Sequence, residues 1–195
     1  IPNVNENARG TTQLNTLVRN SGNARTYMLG IPASELGAVP PGSVITGVSF
    51  RSQVFTSNPA LWPTADIGFT NYEVSIGPAL PLASWTGTFA ANFLVPPLLV
   101  RTGPMTITPG LFTHNSALPA PLPNSFGEFY WDFHKAYLYT GGDLALLFSH
   151  PGSNSSTFVY LDCVNSSAAT GVGYTASSFQ AASGSSTTFC IPRLH

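Results

Sequence analysis

Charged side chains are scarce in this sequence. Asp, Glu, Lys and Arg make up 8% of the 195 residues and leave a net charge of −1, whereas about 25% of the residues of an average soluble protein are charged. The chain has no basic run of the kind that binds nucleic acid or anionic lipid, and we expect neither partner. A net charge near zero instead favours association between copies of the chain, or packing against neutral sugar.

Long apolar runs and a leading methionine are also missing. A membrane-spanning helix needs roughly 18 consecutive apolar residues, whereas the longest apolar stretch, from Phe93 to Val100, is interrupted by Pro96 and Pro97. We therefore expect no membrane insertion. The chain begins at Ile1 without a charged and apolar leader, which predicts a secreted, extracellular product from which a signal peptide has been removed.

Cysteine occurs only twice, as Cys163 and Cys190, each within a strand-like run. In an exported protein two such cysteines are expected to form a disulfide. A bridge closing a loop of this length would contribute about 3.6 kcal/mol in the chain-entropy description. The alternative is a pair of free, buried thiols in a cytosolic protein.

Catalytic and metal-binding motifs are absent. The sequence has no Gly-x-Ser-x-Gly, His-x-x-x-His or His-Glu-x-x-His pattern, which hydrolases and zinc enzymes use. Asp132 and His134 have a spacing that two zinc ligands use, and Asp66, Asp143 and Asp162 are candidate calcium ligands. Any two of the eight carboxyl groups could meet in the fold, so a glycosidase pair stays open. We predict a protein without enzymatic activity, metal or cofactor.

Hydrophobic residues are plentiful, at 43% of the chain with 13 Phe, 7 Tyr and 3 Trp. Apolar side chains alternate along residues 44–50 and 72–76, which predicts strands, and the apolar run 144–149 predicts a buried strand. Turns rich in Gly, Pro and Asn separate these segments, with short helical turns expected at 32–36 and 89–93. The pattern predicts an all-β fold with eight to ten short strands, a two-sheet antiparallel sandwich of jelly-roll type.

The chain reads as one domain over residues 1–195, because no composition break or charge run divides it. Residues 1–25 are rich in Asn and poor in apolar positions, which predicts an N-terminal arm or a donor strand for a neighbouring copy. The stretch 166–188 is rich in Ser, Ala, Gly and Thr, but its spaced aromatic residues predict an ordered excursion within the domain.

Trp62 and Trp85 are the candidate binding residues. Both lie in Pro-rich loops, where binding residues are common, and a flat aromatic surface stacks well on the apolar face of a sugar ring. Trp131 lies in a strand-like run and is expected in the core. Asn154 and Asn165 each begin an Asn-x-Ser sequon and are candidate glycosylation sites.

Seven blocks of the sequence form a recognisable series. They are residues 2–3, 27–36, 45–51, 72–76, 88–92, 129–133 with Tyr137, and 142–148. In this order and spacing they resemble a loose group of secreted bacterial β-sandwich proteins, many of which carry a sorting tail of the PEP-CTERM type and are associated with exopolysaccharide matrices. The resemblance implies the sandwich fold and no particular active site. The chain ends without the sorting motif, apolar helix or basic tail of that group.

Together these features predict an extracellular structural protein that assembles with copies of itself into a filament, tube or matrix layer, as a homo-oligomer or homopolymer. The first alternative is a secreted carbohydrate-binding, lectin-like module with a polysaccharide as its partner. The second is a jelly-roll viral coat or decoration protein, which the composition fits equally well.

Overall fold

A computed structural model describes residues 2–55 and 59–195 of the chain. Every strand pairing in that part is antiparallel, which confirms the predicted all-β class. The described residues form sixteen strands, more than the eight to ten predicted, because segments without a strand pattern, such as 172–176 and 185–187, also pair. The strands are β1 (Thr12–Leu14), β2 (Arg25–Ile31), β3 (Val44–Phe50), β4 (Leu61–Trp62), β5 (Ile67–Phe69), β6 (Glu73–Pro78), β7 (Leu98–Arg101), β8 (Met105–Ile107), β9 (Phe112–Thr113), β10 (Trp131–Leu138), β11 (Leu144–His150), β12 (Leu161–Val164), β13 (Val172–Ala176), β14 (Ser185–Thr187), β15 (Phe189–Cys190) and β16 (Pro192–Leu194).

Short 3₁₀ turns are the helical elements of the described chain. They are Asn3–Asn5, Thr16–Val18, Ala33–Glu35, Leu82–Ser84 and Phe89–Asn92. Two of them confirm the helical turns predicted near residues 32–36 and 89–93. Over residues 2–55 and 59–195, no helix has the length and apolar character needed to cross a membrane.

The largest sheet has six strands in the order β14-β13-β2-β11-β6-β7. Its central strand, β11, is flanked on both sides, so that Leu146 pairs with Leu29 and with Ile76. Side chains alternate between the two faces of such a strand. Because both faces of β11 are covered, its sequence is apolar from Leu144 to Phe148, which confirms the predicted buried strand at 144–149.

One face of this sheet packs against a three-stranded sheet of order β10-β3-β16, as the two layers of a sandwich do. Trp131 is fully buried between the layers, which confirms its expected place in the core. Its ring meets Phe50 edge-on at 5.3 Å and Phe148 at 6.4 Å between centroids. Smaller sheets, β1-β12-β15, β4-β9 and β5-β8, extend the second layer. The jelly-roll strand order stays a prediction.

The opposite face of the six-stranded sheet is covered by residues 79–93. Met28 and Ala145, which point to this face, pack with Trp85, Phe89 and Phe93 in a second hydrophobic cluster. This covering loop is held at its start by Asp143, whose carboxylate accepts a hydrogen bond from the Leu82 backbone N–H at 3.2 Å. The second cluster explains why a Pro-rich segment without strands carries so many aromatic residues.

The N-terminal residues complete a sheet of their own chain. Strand β1 pairs with β12, placing Gln13 opposite Asp162, and the following turn buries Leu17 and Val18 completely or nearly so. The Tyr72 hydroxyl donates to the Leu17 backbone oxygen at 2.8 Å. A donor role for residues 1–25 would therefore require the arm to leave this position.

Candidate functional site

The structure buries both tryptophans that were predicted to stack on sugars. Trp62 is 2% exposed and Trp85 is 8% exposed. Trp62 packs edge-on against Phe112 with a centroid distance of 5.6 Å, and Trp85 lies over Gly30, where an added Cβ would overlap its ring. The prediction of a sugar-stacking role for Trp62 and Trp85 is therefore wrong, because their faces are used in core packing.

The two cysteines lie side by side, but as thiols. Cys163 on β12 is directly opposite Cys190 on β15, and both are fully buried. Their sulfur atoms are 3.2 Å apart, well beyond the bond length of about 2.05 Å, so the predicted disulfide is not formed and both are free. Burial raises the pKa of the Cys163 thiol. Because the thiolate is the reactive form, the structure protects this pair from oxidation.

We expect no reaction of native protein with Ellman's reagent, since both sulfurs are enclosed, and reaction of two thiols per chain after unfolding without reductant. A sample reduced before unfolding provides the control for the full thiol count. No reactive thiol in the unreduced, unfolded sample would show that the isolated protein carries the disulfide after all.

The acidic residues considered as metal ligands contact groups of the protein itself. The Asp132 carboxylate accepts from the Arg101 guanidinium, which also lies 3.3 Å from His134 Nε2. Asp143 accepts from two backbone N–H groups, those of Ala33 and Leu82, and Asp66 lies in an exposed loop. Over residues 2–55 and 59–195, no three His, Cys, Asp or Glu side chains come together as a metal-binding set.

Asp162, the remaining candidate calcium ligand, instead forms a buried ion pair with Arg51. Arg51 Nε and Asp162 Oδ2 are 2.9 Å apart, with both side chains 1% exposed. Arg51 also donates to the backbone oxygens of Asn5 and Ala8, and the Gly10 N–H donates to the Asp162 carboxylate. Burial raises the pKa of Asp162 and lowers that of Arg51. The pair thus ties the N-terminal arm to β3 and β12, a structural role.

The close approach of the arm at this pair requires glycine. A Cβ at Gly10 would overlap the backbone oxygen of Cys163 and would lie 2.8 Å from Asp162 Oδ1. Only a residue without a side chain can bring its N–H so near the carboxylate. The sequence pattern gave no signal for Arg51, because a lone arginine after a strand is ordinarily an exposed residue.

Exposed apolar side chains lie at the edge of the six-stranded sheet, on its last strand, β7, and in the segment just before it. We name Leu94, Val95, Leu98 and Leu99 the apolar edge; their exposed fractions are 58%, 55%, 41% and 41%. The sequence from residue 74 to residue 100 contains no Asp, Glu, Lys, Arg or His. The segment that contains the apolar edge therefore contributes no charged side chain that would keep this surface hydrated.

A second exposed apolar pair lies on the other layer. Val44 of β3 is directly opposite Leu138 of β10, and these side chains are 56% and 57% exposed. Single exposed apolar residues are ordinary on protein surfaces. Two exposed apolar residues that face each other on paired strands are less common. Contiguous apolar patches often mark interaction sites.

Two polar depressions meet on the surface between the N-terminal arm and β16. The first, of about 420 Å³, is lined by Glu6 and Glu35 among others, and the second, of about 410 Å³, by Glu128. Phe126 and Arg193 line both and so lie where they meet. We name the combined depression the acidic groove. Sequence reasoning missed it, because its residues come from five separate segments and form no motif.

The two sequon asparagines are exposed. Asn154 uses its side-chain oxygen to accept from the Gly68 N–H at 2.8 Å. Asn165 lies just after β12, also at the surface. Glycosylation at Asn154 and Asn165 stays a prediction.

The apolar edge, the Val44–Leu138 pair and the acidic groove are thus the features that packing within the chain does not account for. None of the three places a nucleophilic side chain beside a general base. Comparison with known proteins provides no family assignment, since no protein-family model, curated sequence or solved structure matches the chain.

Proposed function

We propose that this chain is a non-catalytic, extracellular structural protein that assembles with copies of itself through the apolar edge. The observation that carries the proposal is the exposure of Leu94, Val95, Leu98 and Leu99 within a charge-free segment. The predicted partner is a second copy of the chain.

Natural sheet edges are usually protected from pairing by lysine, by other charges or by bulges. β7 is short and its pairing with β6 is irregular between Val74 and Ser75, but it begins with the exposed Leu98 and Leu99 rather than with charged residues. Pro96 and Pro97 precede it and have no N–H to donate, so they prevent a long hydrogen-bonded ladder. Contact between copies therefore relies on side-chain packing across the edge, which the hydrophobic effect drives.

Self-association also agrees with the overall charge. With a net charge of −1, two copies repel each other little, and like patches can meet about a two-fold axis because an apolar surface is complementary to itself. The Val44–Leu138 pair provides a second apolar contact on the other layer. A chain with two such contacts can join two neighbours, which is the requirement for a filament or layer.

A charge placed in the apolar edge should separate the copies. We expect the double variant Leu94→Lys, Leu99→Lys to remain folded, because both side chains are exposed, and to sediment as a monomer where the native chain forms larger species. Desolvating two lysines in the contact would cost more than the packing gains. Sedimentation velocity and negative-stain electron microscopy measure the outcome.

Leu122→Lys is the matched control, since Leu122 is 46% exposed in a loop outside the apolar edge. It should assemble as the native chain does. If the control lost assembly as fully as the double variant, the cause would be added charge in general and not the position of the charge. Unchanged assembly of the double variant would exclude the apolar edge as the contact.

A further inference from the structure

A pocket opens on the face of the six-stranded sheet that carries the second hydrophobic cluster. Ser75 of β6 and Leu147 of β11 are directly opposite each other and line its floor. Leu147 is two residues from Ala145, which points to this face, so both floor residues point the same way. Gln180 and Ala181 close the pocket on one side. We name this depression the face pocket.

The face pocket has the size of one apolar side chain. Its volume is about 180 Å³, below the roughly 300–1,000 Å³ of usual small-molecule sites. A cavity of about 150 Å³ already holds an apolar group as large as benzene. Leu147 is half-buried and packs against the second hydrophobic cluster, so the apolar surface of that cluster continues into the pocket.

The polar side chains at the walls of the face pocket bond to their own chain. Both carboxylate oxygens of Glu73 accept from the Gln180 side-chain amide at 3.0 Å. The Ser149 hydroxyl accepts from the Gln180 backbone N–H at 2.6 Å, and the Thr26 hydroxyl accepts from the Ala181 backbone N–H. A polar ligand gains little from groups that already have partners, whereas an apolar group needs none of them.

Gln180, which forms one wall, has an unusual backbone conformation. In the part of the chain that the structure describes, it is the one residue other than glycine with a positive φ, of 52°. This left-handed conformation is unfavourable for a residue with a side chain. Such conformations persist where surrounding contacts enforce them, often at functional sites. The bonds to Glu73 and Ser149 are contacts of this kind, so the chain holds the pocket wall in place against backbone strain.

Two apolar side chains project from the same face of the sheet. A Cβ at Gly77 of β6 would lie 3.2 Å from both Phe93 and Pro97, so these two residues rest on the face at this point. Leu94 and Val95 lie between them and are 58% and 55% exposed. We name Leu94 and Val95 the projecting pair. Their segment is anchored on both sides, so the pair is held outward without a partner in its own chain.

We propose that two copies pack face to face, with the projecting pair of each copy in the face pocket of the other. Gly77 lies two residues from Ser75 along β6, so the pair and the pocket are side by side on one face. A two-fold axis between them brings each projecting pair to the partner's pocket, as in other self-complementary contacts. This inference rests on the proposed function, since it requires that copies associate, and it gives the apolar edge a defined acceptor site.

Filling the face pocket tests the proposal. Ser75→Phe places a ring over the floor and leaves the residues of the apolar edge unchanged. We expect it to weaken association about tenfold for each of the two pockets, because each projecting pair then loses the burial of an apolar side chain. Leu94→Ser with Val95→Ser should have the same effect without adding charge. Sedimentation velocity over a concentration series measures association, and circular dichroism checks that the variants are folded.

Mixing the two variants identifies the contact. A mixed pair has one native pocket facing one native projecting pair, whereas a pair of identical variants has none. We therefore expect the mixture to associate about tenfold more strongly than either variant alone. Thr106→Phe, at an exposed position of β8, is the matched control for an added ring and should associate as the native chain does.

The outcomes separate this contact from assembly itself. If the native chain associates and Ser75→Phe associates equally well, or if mixing gives no gain, the face pocket is not the acceptor and the assembly proposal stands. A loss in Thr106→Phe as large as in Ser75→Phe would show an effect of the ring alone and would also overturn the pocket contact. A native chain that stays a monomer at every concentration would instead overturn the proposed function, and this contact with it.

Discussion

Asp162→Ala is expected to lower the free energy of unfolding by about 3–5 kcal/mol, the cost of leaving a buried charge without its partner. Arg51 is 1% exposed and has no water to replace the lost carboxylate. The Gly10 N–H also loses its acceptor, since both of its bonds go to Asp162. Urea unfolding followed by tryptophan fluorescence measures the change. The shift of the midpoint reports stability as long as the slope of the unfolding free energy against urea concentration is unchanged.

Asp132→Ala is the matched control, because Asp132 also pairs with an arginine but its side chain is 57% exposed. That pair is expected to contribute no more than about 1 kcal/mol. The double variant Arg51→Met, Asp162→Leu should recover much of the loss, since apolar pairs often replace buried ion pairs without penalty. A loss at Asp162 no larger than at Asp132 would contradict the structural role of the buried pair.

The second large effect is on the pH dependence of stability, through His150. This side chain is 1% exposed, and burial, with Arg25 and Arg19 adding to it, lowers its pKa from 6.5 to about 4. Its Nε2 lies 2.8 Å from the Thr16 backbone oxygen, and its Nδ1 accepts from the Gly152 N–H. The ring is therefore held neutral, with a donor on one nitrogen and an acceptor on the other.

Because the folded pKa lies below the unfolded value, the unfolded chain takes up a proton first as the pH falls. Stability from His150 is complete above pH about 6.5 and is lost between about 6.5 and 4, by about 3 kcal/mol in total. Urea unfolding at a series of pH values measures this loss. The pKa of Asp162 is raised in the folded chain, so this group stabilises the fold as the pH falls, opposite to His150. The effect of His150 alone therefore has to be measured by comparing variants.

His150→Gln isolates the histidine, since glutamine can still donate to the Thr16 oxygen but does not titrate. The difference in stability between the native chain and this variant should fall by about 3 kcal/mol between pH 7 and pH 4. His134→Gln, on an exposed part of β10, is the control for the loss of one histidine. A pH-independent difference for His150→Gln would show that the buried ring titrates normally.

Much of the fold follows from local patterns. Alternation predicted β3 and β6, and a continuous apolar run predicted the doubly covered strand β11, because the period of side chains in a strand is two. The strand-like run around Trp131 belongs to β10, which extends from Trp131 to Leu138 with an irregular register between Asp132 and Tyr137. An irregularity of this kind breaks the alternation on which the prediction depends.

The binding residues were harder to predict, for a physical reason. Both tryptophans lie in Pro-rich sequence, but Trp62 belongs to the short strand β4. Trp85 lies in a loop that covers a sheet face and is itself part of the core, as the cluster of residues 79–93 shows. The acidic groove joins Glu6, Glu35 and Arg193 from opposite ends of the chain. Such contacts depend on tertiary structure alone, so no spacing in the sequence indicates them.

The central claim, assembly between copies, is tested most directly by sedimentation velocity of the native protein at neutral pH over a wide concentration range. The account predicts species larger than the 20.6 kDa chain, whose fraction grows with concentration. A single species with the mass of one chain at every concentration would contradict it.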